Sequence, residues 1–178
     1  MKIQLVVLLC IVCSAFVSTK NEKIGWKEKP KLQWSDFKGT PPAGTGFVAS
    51  TSSGISFSFS YKSGPNGTEL NYEVYANFYP YRSWVVAGND TGYILRHEQA
   101  HFDITEIFAR KFRKKLAATN FTGPAKSKIE TMYREMEEER VYFQKLFDSE
   151  TDHSRIPEQE ILWERKIATM LKQLDAWK

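Results

Sequence analysis

Polar and apolar residues alternate through the middle of the chain. From Gly46 to Tyr61 aromatic and aliphatic side chains alternate with serines, and the same period of two returns between Leu70 and Phe78. A period of two is typical of a half-buried β-strand. The two segments therefore predict a long antiparallel hairpin with one apolar face. A short strand at Lys31 to Trp34 is predicted to extend this sheet.

Beyond Pro80 the apolar period changes to that of an α-helix. The first predicted helix follows Gly88 to Thr91, and its apolar stripe runs from Ile94 to Phe112. The second covers Ala125 to Leu146, and a loop from Phe147 to Pro157 leads to the third. Together these elements predict an α+β fold, in which a small antiparallel sheet packs on a three-helix layer. The expected arrangement is zincin-like, with a metal motif on the first helix.

The N-terminus has the layout of a secretory signal peptide, with a basic start and an unbroken apolar run from Ile3 to Val12. We predict a signal peptide at residues 1–19, a single domain at residues 20–178, and a secreted or periplasmic protein. The apolar run is too short to span a bilayer, so no integral membrane span is expected in the mature chain. Cys10 and Cys13 both lie in this segment and follow large residues, which disfavours a lipoprotein. The mature chain would then have no thiolate ligand.

Composition narrows the function classes further. The chain has 178 residues, of which 42% are hydrophobic, and this suits one packed domain. The net charge of +4 is too small to indicate a nucleic-acid partner. A basic cluster at residues 110–115 ends the first predicted helix, and we interpret it as favourable charge at a helix C-terminus.

His97-Glu98-Gln99-Ala100-His101 forms an H-E-x-x-H motif on the first predicted helix. Residues four apart lie one above the other on a helix face, so both imidazoles can bind one ion. Glu98 is placed to act on a water molecule as a general base, as in zinc peptidases. Both histidines fall on the apolar stripe, where burial without partners is costly. The motif therefore predicts a Zn²⁺ site, against the alternative of two histidines that only hydrogen-bond within the core.

A catalytic zinc usually has three protein ligands and one open position. Helix geometry turns Asp103 and Glu106 away from the ion. His153 is the one remaining histidine, and we predict that it folds back from the loop before the third helix as the third ligand. Glu139, the one acid expected to continue the apolar stripe of the second helix, is the alternative, as a ligand or as an acceptor for a histidine N–H. We interpret Asp152 as a turn residue.

Several segments resemble a bacterial family of domains of unknown function that is described as secreted zinc-dependent proteases. The matching segments are Leu32 to Gly39 (LQWSDFKG), Ser83 to Val85 (SWV), Leu95 to Ile104 (LRHEQAHFDI) and Thr151-Asp152-His153, followed by Gln159 and Trp163. The resemblance covers nearly all of the predicted mature chain. It implies metal binding by His97, His101 and His153, with Glu98 as the catalytic residue. It also implies a glycine after the last histidine, where this chain has Ser154.

Two function classes follow from these observations. The first is an exported zinc-dependent metallopeptidase that acts on peptide or protein substrates. The second is a non-catalytic exported binding or scaffolding domain with a structural zinc. An intact Glu98 favours the first, whereas a site with no open ligand position would favour the second. Arg155, Tyr81 and Tyr93 are candidates to stabilise an oxyanion, and the Leu70–Phe78 strand is expected to line the cleft by analogy with zinc peptidases.

Overall fold

The computed structural model describes residues 22–64, 67–121 and 125–178. The predicted signal peptide, with both cysteines, lies outside these residues and stays a prediction. The described elements are, in chain order, β1 (Ile24–Gly25), β2 (Ala49–Ser50), β3 (Ser53–Gly64), β4 (Gly67–Phe78), β5 (Trp84–Val85), α1 (Gly92–Ala117), α2 (Ala125–Thr151) and α3 (Pro157–Gln173). The predicted α+β class, a small antiparallel sheet with three helices, is confirmed.

The long hairpin is formed by β3 and β4, which pair in antiparallel register from Ser53 opposite Phe78 onward. β1 extends this sheet on the other side of β4, where Ile24 pairs with Phe78. The predicted strand at Lys31 to Trp34 is wrong, because a 3-10 turn covers Trp34–Asp36. The Asp36 carboxylate accepts the backbone N–H of Gln33 at 2.8 Å, and this local bond competes with strand pairing.

The core lies between the apolar face of the hairpin and α1. Alternate hairpin residues point inward, and they meet helix residues spaced by three or four positions. Thr91 caps the start of α1, since its hydroxyl accepts the Ile94 N–H at 3.2 Å. Fully or almost fully buried members of this core are Ile55, Val74, Ala76, Phe78, Ile104, Ile107, Phe108, Phe112 and Ile129.

The second helix continues past its predicted end. α2 runs to Thr151, so the expectation of a loop beginning at Phe147 is wrong. Phe147 and Thr151 are both completely buried, and their burial against the rest of the core extends the helix by more than one turn. Within the described ranges, no helix combines the length and the apolar character that crossing a membrane requires.

Candidate metal centre

The two motif histidines project from α1 toward α2. Their ring centroids are 5.0 Å apart, and both rings pack on the buried Phe147 of α2, at 4.5 Å for His97 and 5.1 Å for His101. The Gln144 amide of α2 donates to the His101 carbonyl at 2.9 Å, which fixes the spacing of the two helices at this point. The predicted pairing of both imidazoles on one helix face is therefore present.

Asp148, which the sequence motif does not indicate, places a third potential ligand atom beside the two histidines. Its Oδ1 lies 3.0 Å from His101 Nε2 and 3.3 Å from His97 Nε2. One ligand atom from each of these three residues falls within 4.8 Å of the other two, which suits a single cation. Two imidazoles and one carboxylate are a ligand set that zinc accepts in catalytic sites.

Glu160 of α3 holds the His97 ring from the side away from Asp148. Its Oε1 lies 2.6 Å from His97 Nδ1, and both side chains are buried. A carboxylate accepts, so Nδ1 carries the proton, and in the neutral ring Nε2 then presents its lone pair toward His101 and Asp148. Metal-binding histidines are commonly oriented by such a carboxylate.

Charge interactions within this cluster are strong when no metal is bound. Burial lowers the pKa of His97, but the hydrogen bonds to Asp148 and Glu160 outweigh this effect and raise the pKa to about 9. Burial acts in the opposite sense on Asp148, yet its hydrogen bonds with His101 and His97 hold its pKa well below the ordinary value. The carboxylate is therefore ionised, as a metal ligand must be.

Glu98 is buried at 4% exposure beside His97. In the described part of the chain, its Oε2 atom is the one buried side-chain oxygen or nitrogen without a hydrogen-bond partner. A buried carboxylate oxygen without a partner costs free energy, so it needs a ligand, a proton or a water molecule to satisfy it. This carboxylate oxygen is thus a free acceptor on a residue that lines the same cavity as the three potential ligands.

A cavity of about 380 Å³ opens directly onto these groups. Its floor is formed by His97, Glu98, His101 and Asp148, and its walls by residues 46–51 and 153–155. The expectation that Leu70–Phe78 lines the cleft is wrong, since this strand lies between β1 and β3 and does not border the cavity.

The strand that does border the cavity is β2. It pairs with β5 on one side, with Ala49 opposite Val85 and with the Val86 N–H bonded to the Val48 carbonyl at 2.8 Å. Because hydrogen-bonded and non-hydrogen-bonded pairs alternate in an antiparallel ladder, the Ala49 N–H and C=O point to the other edge of β2. Both residues of β2 line the cavity.

His153 lies at the mouth of the cavity rather than in its floor. Its Nδ1 is 3.7 Å from Asp148 Oδ1, its side chain is 41% exposed, and its ring packs against Phe47 at 4.7 Å. It lies outside the three-residue cluster, so its role as a ligand stays a prediction. Glu139 is exposed, and its charge lies near Lys111; the expectation that it continues the buried stripe of α2 is wrong. Arg140 occupies the buried position instead.

The other residues considered from the sequence lie at different distances from the cavity. Among the three candidates for oxyanion stabilisation, Arg155 borders the cavity, whereas Tyr81 and Tyr93 do not. The Tyr93 hydroxyl donates to the Ser154 carbonyl at 2.8 Å. The Asp103 carboxylate accepts a hydrogen bond from Trp26 Nε1 at 2.6 Å. Asp103 therefore lies on a different face of α1 from His101, as the helical period predicts.

The sequence contains a partial signal for Asp148 and none for Glu160. The stripe of α2 continues at intervals of four through Phe143, Phe147 and Thr151, and Asp148 follows it at the end that faces the motif. Extending the helical period past Leu146 would have placed this carboxylate on the helix.

Comparisons with known proteins add no assignment: no family model, curated protein or solved structure matches this chain. The family resemblance and the zincin-like arrangement remain predictions from the motifs. The function is therefore argued from the chemistry of the site.

Proposed function

We propose that this chain is a zinc-dependent metallopeptidase, in which His97, His101 and Asp148 hold the ion and Glu98 is the general base. The observation that carries the proposal is the unpartnered, buried Oε2 of Glu98, which lies in the same cavity floor as the three ligand atoms. A structural zinc site requires ligands but gives no reason to bury a spare carboxylate oxygen beside them.

The donor set fits zinc better than the alternatives. Magnesium and calcium prefer oxygen ligands, whereas two imidazoles with one carboxylate are typical of catalytic zinc. When bound in such a site, zinc lowers the pKa of a water molecule and polarises a carbonyl group. With His97, His101 and Asp148 as its three protein ligands, a bound zinc would keep one coordination position for such a water, as catalytic zinc sites do.

Three other residues have distinct roles in the proposed mechanism. The Glu98 carboxylate accepts a proton from the attacking water and returns it to the leaving amine. Glu160 keeps the His97 tautomer that presents Nε2 to the ion. Phe147 packs beneath both imidazoles and limits their rotation.

Peptide is the substrate class that the cavity wall favours. An extended segment can pair with the open edge of β2 through the Ala49 N–H and C=O, which recognise a main chain of any sequence. Such pairing would align a peptide bond along the cavity floor.

The test begins with zinc analysis of the purified protein, followed by digestion of a proteome-derived peptide mixture with and without a chelator. Glu98→Gln keeps the size of the side chain but removes its basicity, so zinc should stay while hydrolysis falls about a hundredfold or more. Glu138→Gln, at an exposed site on α2, is the matched control and should leave both unchanged. Full zinc occupancy without any chelator-sensitive cleavage would instead favour the binding or scaffolding domain with a structural zinc.

A further inference from the structure

The mouth of the cavity has two lips of different chemistry. One lip is apolar: Phe47 is 50% exposed and Val48 is 37% exposed, just before β2. The other lip is the turn between α2 and α3, where His153, Ser154 and Arg155 border the cavity. The two lips touch where Phe47 packs on His153 at 4.7 Å, so a bound peptide would reach the floor beside this contact.

The second lip is held in an unusual backbone conformation. Asp152, His153 and Ser154 have φ values of 45°, 51° and 68°, three successive left-handed residues without a glycine. Each such residue is strained, and strain of this kind persists where the surrounding structure enforces it. Here the His153 N–H bonds to the Asp148 carbonyl at 2.9 Å, and Tyr93 holds the Ser154 carbonyl. The turn therefore fixes the backbone of Arg155 at the edge of the cavity.

Arg155 brings a largely uncommitted positive charge to the cavity. Its described partner is Asp152, at 3.6 Å, with the two side chains 66% and 54% exposed. This distance exceeds that of a hydrogen bond, and exposed ion pairs of this kind contribute little. A zinc ion in the floor would offset the charges of Glu98 and Asp148, which leaves Arg155 without an opposing charge in the lining. Guanidinium groups bind carboxylates in a bidentate geometry.

We infer that Arg155 selects peptide substrates that carry a carboxylate at the position meeting this lip. The inference rests on the proposed function, since it names the substrate class of the same site. Arg155 is exposed at the mouth of the cavity. A group that stabilises the reacting oxyanion must instead lie within hydrogen-bond reach of the floor, so we assign Arg155 to substrate selection and not to oxyanion stabilisation. The carboxylate can belong to an acidic side chain or to the C-terminus of the peptide, and the experiment distinguishes the two.

The experiment measures both binding and cleavage with matched peptides. The parent peptide is a sequence cleaved in the peptide mixture, or a generic extended peptide if none is cleaved. In the first series, each position of this peptide is replaced in turn by Glu, Gln or Lys. A second series compares a free C-terminus with an amidated one. Binding is measured by fluorescence anisotropy on the zinc-loaded Glu98→Gln protein, and kcat/KM is measured on the wild type. Arg155→Gln is the test variant, and Arg165→Gln, exposed on α3 away from the cavity, is the control.

We expect wild-type Arg155 to favour the carboxylate-bearing peptide about three- to tenfold over its neutral match, and Arg155→Gln to remove this preference. A preference in the first series assigns the carboxylate to a side chain, and one in the second series to the C-terminus. Equal affinities for all peptides, or an equal loss of kcat/KM for neutral and acidic peptides in Arg155→Gln, would overturn the inference. Carboxylate-selective binding without any cleavage would uphold it while refuting the peptidase function.

Discussion

Replacing Asp148 with asparagine tests the assignment of the third ligand. The change keeps the size of the side chain and removes the charge that lies 3.0 Å from His101 Nε2 and 3.3 Å from His97 Nε2. Asp152→Asn is a matched control, because it makes the same chemical change four residues later at an exposed carboxylate whose described partner is Arg155.

The expected loss follows from the number of ligands in the site. Zinc bound by four protein ligands in small folded peptides is worth about 10–16 kcal/mol, or roughly 2.5–4 kcal/mol for each ligand. At about 1.4 kcal/mol for each factor of ten, losing Asp148 should weaken zinc binding by about a hundredfold to a thousandfold. The control should change it by less than about threefold, since surface charges away from the ligands contribute little.

Competition with a chromophoric zinc chelator near neutral pH gives the dissociation constants. His153→Ala, measured beside Asp148→Asn, ranks the two candidates for the third ligand. Zinc binding by Asp148→Asn within about threefold of the wild type would refute our reasoning. A larger loss in His153→Ala than in Asp148→Asn would make His153 the principal third ligand.

Three further outcomes are expected. Glu160→Gln should weaken zinc binding by about 10- to 100-fold, the usual cost of losing a ligand-orienting carboxylate, and an unchanged dissociation constant would remove Glu160 from the site. Phe147→Ala, at a completely buried position, should lower the free energy of unfolding in urea by about 3–5 kcal/mol, and a loss below 1 kcal/mol would contradict its place in the core. In metal-free protein, the raised pKa of His97 contributes stability that is complete below its unfolded value of 6.5 and disappears as the pH rises through about 9. Urea unfolding with a chelator should show this decline, Asp148→Asn should flatten it, and a stability that rises over the same range would contradict it.

The elements with strong local periodicity were predictable from the sequence. The alternation in the hairpin and the helical stripe of α1 reflect one buried face each, and the structure has both. The H-E-x-x-H spacing also fixes the relation of His97 to His101, because four residues make about one helical turn. These predictions depend only on neighbours along the chain.

The features that could not be predicted from the sequence depend on contacts between residues far apart along the chain. The end of α2 is set by the burial of Phe147 and Thr151 against other elements, and this carried Asp148 from a predicted loop onto a helix. Glu160 contacts His97 although the two residues are 63 positions apart in the sequence, and no local sequence pattern indicates such a contact. The same is true of the short strand β2, since its pairing with β5 cannot be recognised from two residues.

The proposed ligands come from two helices, α1 and α2. A bound ion would therefore cross-link these helices in addition to its catalytic role. His101 and Asp148 are roughly fifty positions apart, and closing a loop of that length restricts the unfolded chain by about 4 kcal/mol in the entropic model used for disulfides. Residues 22–178 contain no cysteine, so no covalent bridge can provide this restriction there. Release of the ion would remove this restriction, but the buried Phe147 and the Gln144 bond to His101 would still join the two helices. Transient openings that expose backbone to other proteases would therefore become more frequent rather than permanent. The lifetime of the protein in a protease-rich environment would consequently follow the supply of free zinc around it.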